Sequence, residues 1–79
     1  AAEFVNHITE KIQSYPGVIG VHDLMIHDYG PGNLFATVHV EFPAETPVIE
    51  AHEIMDEIEE ALRAKGFLAD VLPYEKEEL

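Results

Sequence analysis

The sequence has no cysteine and no tryptophan, and only four Lys and Arg stand against 16 Asp and Glu, giving a formal net charge of −12. Without thiols there is no disulfide, no thiolate nucleophile and no thiolate metal site, so any metal has to be held by imidazole and carboxylate. The scarcity of cations excludes the basic face that a phosphate backbone requires, and nucleic acid is not expected as a partner. The same negative field concentrates cations near the surface. No apolar run approaches the roughly 20 residues that span a bilayer, and the amino-terminal stretch lacks the basic flank and apolar block of a secretory signal. The fragment is therefore expected to be soluble. It opens on Ala1-Ala2-Glu3 rather than an initiator methionine, as an excised domain or a processed chain would.

What is present is a chain of 79 residues, 47% hydrophobic, which suits one domain, 1–79, with one modest core. Five histidines in so short a chain draw attention. Phe4, Val5, Ile8 and Ile12 recur at helical spacing and predict a first helix over 3–14, ended by Pro16-Gly17. Val18 to Tyr29 reads as a strand with a bulge. Gly30-Pro31-Gly32-Asn33 is a turn signal, after which Leu34, Ala36, Val38, Val40 and Phe42 alternate at period two with Phe35, Thr37, His39 and Glu41, predicting a hairpin with one buried face. Thr46 is the expected N-cap and Pro47 the first residue of a second helix, whose stripe is Val48, Ala51, Met55, Ile58 and Leu62. Gly66 stops it, Phe67 to Val71 predicts a third strand, and residues 75–79 form an acidic tail.

The order helix, strand, strand, helix, strand predicts an α+β fold of ferredoxin-like αββαβ type. In it the third strand lies parallel to the second in a three-stranded mixed sheet, and both helices cover one face. Met25, His27, Tyr29, Phe35 and His39 would populate the other face, which is apolar enough to predict self-association. One question of parity decides the placement of the histidines. A three-residue loop over Gly30-Pro31-Gly32 sets His22 and His39 on opposite faces, whereas a four-residue loop or a bulge at His22-Asp23 makes them diagonal neighbours on one face. The gap between Val21 and Leu24, both apolar, favours the bulge.

Tyr15-Pro16-Gly17-Val18, Val21-His22-Asp23-Leu24, Val38-His39-Val40-Glu41 and Glu50-Ala51-His52-Glu53-Ile54, in this order and spacing, resemble the C-terminal cytoplasmic domain of the cation diffusion facilitator family. The resemblance runs from about residue 3 to 62. It implies a homodimer on the cytoplasmic side of the membrane, linked covalently to a transmembrane domain. It also implies zinc, or another divalent transition metal, bound near the dimer contact to regulate transport. Carried over position by position, the family's metal-binding histidines become His22, His39 and His52. The family's third strand ordinarily supplies a His-x-Asp pair; this chain has Tyr74 and Lys76 there, with Asp70 and Glu75 as the nearby carboxylates. The alternative implied by that loss is a metal-independent homodimerisation module with a degenerate site.

Each histidine also has a plainer role open to it: His22 satisfied by Asp23, His39 packing across strands, His52 near the loop or exposed, His27 and His7 on the surface. The acidic run Asp56-Glu57 and Glu59-Glu60 reads as a hydrated helix face, with Glu59 and Arg63 at the spacing of an ion pair. There is no Ser-His-Asp order, and Gly30-Pro31-Gly32 leads into a strand rather than a helix, so no phosphate cradle follows. An enzyme is not expected.

Overall fold

The computed structural model describes residues 2–75. The elements are α1 (Ala2–Gln13), β1 (Gly20–Asp28), β2 (Leu34–Glu41), α2 (Val48–Ala64) and β3 (Phe67–Pro73). The strands lie in the order β1-β2-β3, with β1 antiparallel and β3 parallel to β2. This is the expected αββαβ arrangement with a mixed sheet; the expected acidic tail beyond Glu75 lies outside the described residues.

The periodicities explain the layers. In α1 the buried residues Ile8 and Ile12 are four apart, and in α2 Met55, Ile58 and Leu62 are three and four apart, so each helix turns one apolar stripe to the sheet. The sheet answers with period two: Ala36, Val38 and Val40 of β2 are fully buried, Phe67 and Ala69 of β3 lie beside them, and Val21, Leu24 and Ile26 of β1 pack against the same cluster. Phe4 stacks on Phe67 with ring centroids 5.8 Å apart, which ties the start of α1 to the start of β3. The other sheet face is left open. Met25 and Leu68 are more than half exposed on it, beside Phe35, Thr37 and Leu72.

The ends of α2 divide. Gly66 at φ 95° follows the last turn and its N–H donates to the Arg63 carbonyl at 2.9 Å, the left-handed stop expected of glycine there. At the start, Pro47 is itself the cap residue, no side chain caps the helix, and Val48 is 72% exposed. The expected Thr46 cap is therefore not formed, Val48 falls outside the buried stripe, and full burial on α2 begins at Met55, after the half-buried Ala51 and Ile54. The predicted Glu59–Arg63 pair is present.

The hairpin turns over a three-residue loop: Tyr29 N–H donates to the Asn33 carbonyl and Asn33 N–H to the Gly30 carbonyl, both at 2.9 Å. Pairing proceeds from Asp28↔Leu34 to Met25↔Thr37 and then shifts, resuming at His22↔His39. Asp23 and Leu24 together face the single residue Val38. Asp23 takes the extra step in the left-handed region at φ 56°, a conformation that costs aspartate less than most residues with a side chain. The bulge expected from Val21 and Leu24 is thus present, with one correction: the two histidines are direct partners across the strands, not diagonal neighbours.

Two outcomes follow. Ile58, 1% exposed, should lose about 2–5 kcal/mol of unfolding free energy on Ile58→Ala, measured by urea denaturation. Asp23→Gly should keep the fold within about 1 kcal/mol, whereas Asp23→Val should cost about 1–2 kcal/mol because a branched side chain resists the left-handed step.

Candidate metal site

The shifted register places His22 and His39 side by side on the open sheet face, and β alternation brings Glu41, two residues past His39, to the same face. Glu41 Oε1 lies 2.7 Å from His22 Nε2. The carboxylate partner of His22 is therefore Glu41 rather than Asp23, which turns instead to His39. Gly20 makes room for this pair: a Cβ there would come within 2.7 Å of Glu41 Oε1 and 2.9 Å of His22 Nε2. Above His22 lies Tyr74, with ring centroids 3.7 Å apart and planes 17° from parallel.

His39 is less well served. Asp23 Oδ2 approaches its Nδ1 to 3.3 Å, but off the hydrogen-bond direction, and this nitrogen is shielded from water without a hydrogen-bond partner. A buried nitrogen left in that state costs roughly 1–3 kcal/mol relative to a bonded one. The His39 side chain lines a shallow concavity of about 330 Å³ together with Asp23, Pro73, Tyr74 and Glu75. His52, exposed on α2, is not in this group. It lines a second concavity on the helix side with Val40, Phe42 and Met55, and Pro73 to Glu75 border both.

These positions decide which donors meet. His22 with Glu41, and His39 with Asp23, form two neighbouring pairs, and an unpartnered imidazole nitrogen beside a carboxylate is the donor chemistry that zinc and its neighbours accept. The fit is one of kind and not of number. Among the described residues no group of three or more His, Asp or Glu converges as a metal would require, so one chain supplies parts of a shell rather than a closed one. Lys76 lies outside the described residues. His27 stacks with Tyr29 at 6.0 Å and leans on Phe35 at 6.5 Å, an aromatic edge of the open face away from both pairs. His7 is exposed on α1.

Sequence reasoning missed Glu41, Gly20 and the contact made by Tyr74. Glu41 was open to discovery, since it shares the parity of His39. Gly20 and Tyr74 were not, because each acts on a residue of another register position or another strand.

Residues 1–72 match the family model described as cation efflux protein, cytoplasmic domain. The cation-efflux pump FieF of Yersinia enterocolitica is 40% identical over 70 residues, 89% of this chain and 22% of that protein. FieF of Escherichia coli K12 is 34% identical over 65 residues, 82% of this chain and 21% of that protein. The chain thus spans about a fifth of the length of these relatives. Among solved structures, one of CzrB, described there in terms of zinc transport, superposes with a TM-score of 0.83 at 28% identity, covering 98% of both chains. A nickel form of the MamM C-terminal domain superposes with a TM-score of 0.81 at 26% identity, covering 98% of this chain and all of that one. No helix among the described residues is long and apolar enough to cross a membrane. The two-helix, three-strand architecture and a match that runs from residue 1 to residue 72, within β3, place this chain in the family of cytoplasmic domains of cation efflux proteins.

Proposed function

We propose that this chain is the dimerising, metal-sensing unit of a divalent-cation efflux transporter, that zinc is the ion it senses, and that His22, His39 and His52 are its ligands. The observation that carries the reading is the direct pairing of His22 with His39 on an open sheet face, flanked by Glu41 and Asp23. Nitrogen and oxygen donors of this kind suit a tetrahedral zinc shell of four. Because His52 stands apart from the paired imidazoles in one chain, the shell closes as His52 is brought in across the Pro73–Glu75 segment and a second copy adds the remaining donor.

Charge gives the ion its leverage. Two copies at −12 each repel when brought together, and a divalent cation shared between them offsets that repulsion where screening is weakest, inside the contact. The apolar residues Met25 and Leu68 on the same face supply the area that association requires. In the full-length protein, the covalently linked membrane portion would feel the approach of the two domains as a change in the spacing of its own ends. We infer binding and assembly, not catalysis. Manganese, iron, nickel and cobalt use the same donors, and the structural relatives include nickel, cadmium and copper forms as well as a zinc form.

A second reading is a metal-independent homodimerisation module with a degenerate site. It is favoured by Tyr74 and by the absence of three converging donors among the described residues.

Zinc titration by calorimetry at neutral pH should show binding, with a rise in dimer mass by analytical ultracentrifugation that a chelator reverses. His39→Ala should weaken binding at least about 10-fold. Acid should release the ion, because protonated imidazole no longer ligates. Absence of heat together with a dimer indifferent to chelator would establish the second reading instead.

A further inference from the structure

We propose that the seam between α1 and α2, on the side of the molecule away from the open sheet face, is a docking groove for an acidic helical segment of a partner protein. The inference goes beyond the metal-sensing reading and does not rest on it.

The first observation is the seam itself. Both helices lie on one face of the sheet, but α1 rests chiefly on β1 and α2 on β3, and a crevice remains where the two face each other. Ile8 and Ile12 of α1 and Ile58 and Leu62 of α2 form its floor, each no more than 4% exposed. The crevice measures about 30 Å³ and no polar atom lines it. A water placed there has no hydrogen-bond partner, whereas the tip of an apolar side chain gains by leaving solvent for such a space. A whole small ligand needs about 300 Å³ or more, so the crevice is sized for an anchor and not for a cofactor.

The second observation is where the positive charge lies. Only four Lys and Arg are present in the chain, and Lys76 is outside the described residues. Among the described residues Arg63 is engaged by Glu59, one turn before it, and the two cations without a carboxylate partner are Lys11 and Lys65. Both line this one crevice, one from each helix. Because the lining is apolar, their methylene stems form its walls and their ammonium groups stand at the rim in water.

The two observations together specify the occupant. A dry anchor point flanked by unpaired cations is complementary to an apolar side chain flanked by carboxylates, and a third helix laid along the seam presents such a set on one of its ridges. Charges beyond about 8 Å are screened at physiological ionic strength, so a short segment meets the two lysines rather than the net charge of −12. A broad anionic surface such as a bilayer meets the acidic surroundings as well, and two copies of this chain meet with like charge. The groove lies opposite Met25 and Leu68, so it stays open when the sheet face is covered by association.

The experiment titrates the chain, with chelator present throughout, with a blocked synthetic peptide that carries a central leucine and a pair of glutamates one turn to either side. Amide NMR shifts should concentrate on α1 around Lys11 and on α2 around Lys65. Alanine in place of the peptide leucine should weaken binding roughly 10-fold, and lysine in place of its glutamates should abolish it. Lys11→Glu and Lys65→Glu, both at exposed positions, should each weaken binding roughly 3- to 10-fold. Ala61→Leu, which fills the crevice from α2, should block docking while the circular dichroism stays unchanged. Absence of shifts in the wild type, shifts confined to the sheet face, or equal binding of the alanine peptide overturns the proposal without needing any variant to fold. Preferential binding to phosphatidylserine vesicles overturns it in favour of a membrane contact. A change in the sedimentation of the unliganded chain on Lys65→Glu overturns it in favour of a second copy. With the chelator in place, none of these results bears on the metal-sensing reading.

Discussion

The arrangement of the open face depends on one surplus residue in β1. Side chains on a strand change faces with every step, so a three-residue hairpin loop fixes the parity of everything paired below it. Continued without interruption, that parity would turn Val21 to water and His22 into the core. The bulge at Asp23 absorbs one residue between Met25↔Thr37 and His22↔His39 and reverses the assignment. Val21 and Leu24 then both reach the apolar cluster, and His22 emerges beside His39. Core packing and site geometry are therefore satisfied by the same backbone step, which is why a left-handed residue is tolerated in the middle of a strand.

Once the two imidazoles share a face, their surroundings differ. His22 is engaged on an edge by Glu41 and on a face by Tyr74. His39 keeps a shielded nitrogen with no hydrogen bond, beside a carboxylate that approaches at the wrong angle. Buried polar atoms without partners are rare because the penalty is not recovered elsewhere. A contact that satisfies this nitrogen would gain both the interaction and the relief of that penalty.

Much of this was readable from residue order, and the parts that were not share a cause. The helices followed from Ile8 and Ile12 and from Met55, Ile58 and Leu62, because burial on a helix is periodic along the chain. The loop followed from Gly30-Pro31-Gly32, and the bulge from two apolar residues, Val21 and Leu24, spaced too far apart for simple alternation. Thr46 illustrates the limit: it has the chemistry of a cap, but the backbone at Pro47 begins the helix a residue later and leaves the hydroxyl unused. The family motif pointed to His22 and His39 but could not say that Asp23 lies beside the latter and that Glu41 hydrogen-bonds the former, since that depends on rotamers. The stacking of Tyr74 on His22 lay beyond sequence reasoning altogether. His22 is 52 positions away from Tyr74, on a strand with which β3 is not paired.

The order of the strands also gives the open face a mechanical polarity. β2, in the middle, is hydrogen-bonded to a neighbour along both edges, and its inward residues Ala36, Val38 and Val40 are sealed beneath the helices. His39 therefore rides on the stiffest segment of the domain, whereas His22 belongs to an outer strand interrupted by an irregularity and Tyr74 to a strand end. Any strain applied at this face is borne unequally, like a vice with one fixed jaw: His39 holds its place, and movement is passed outward to the bulged edge and to the segment after Pro73.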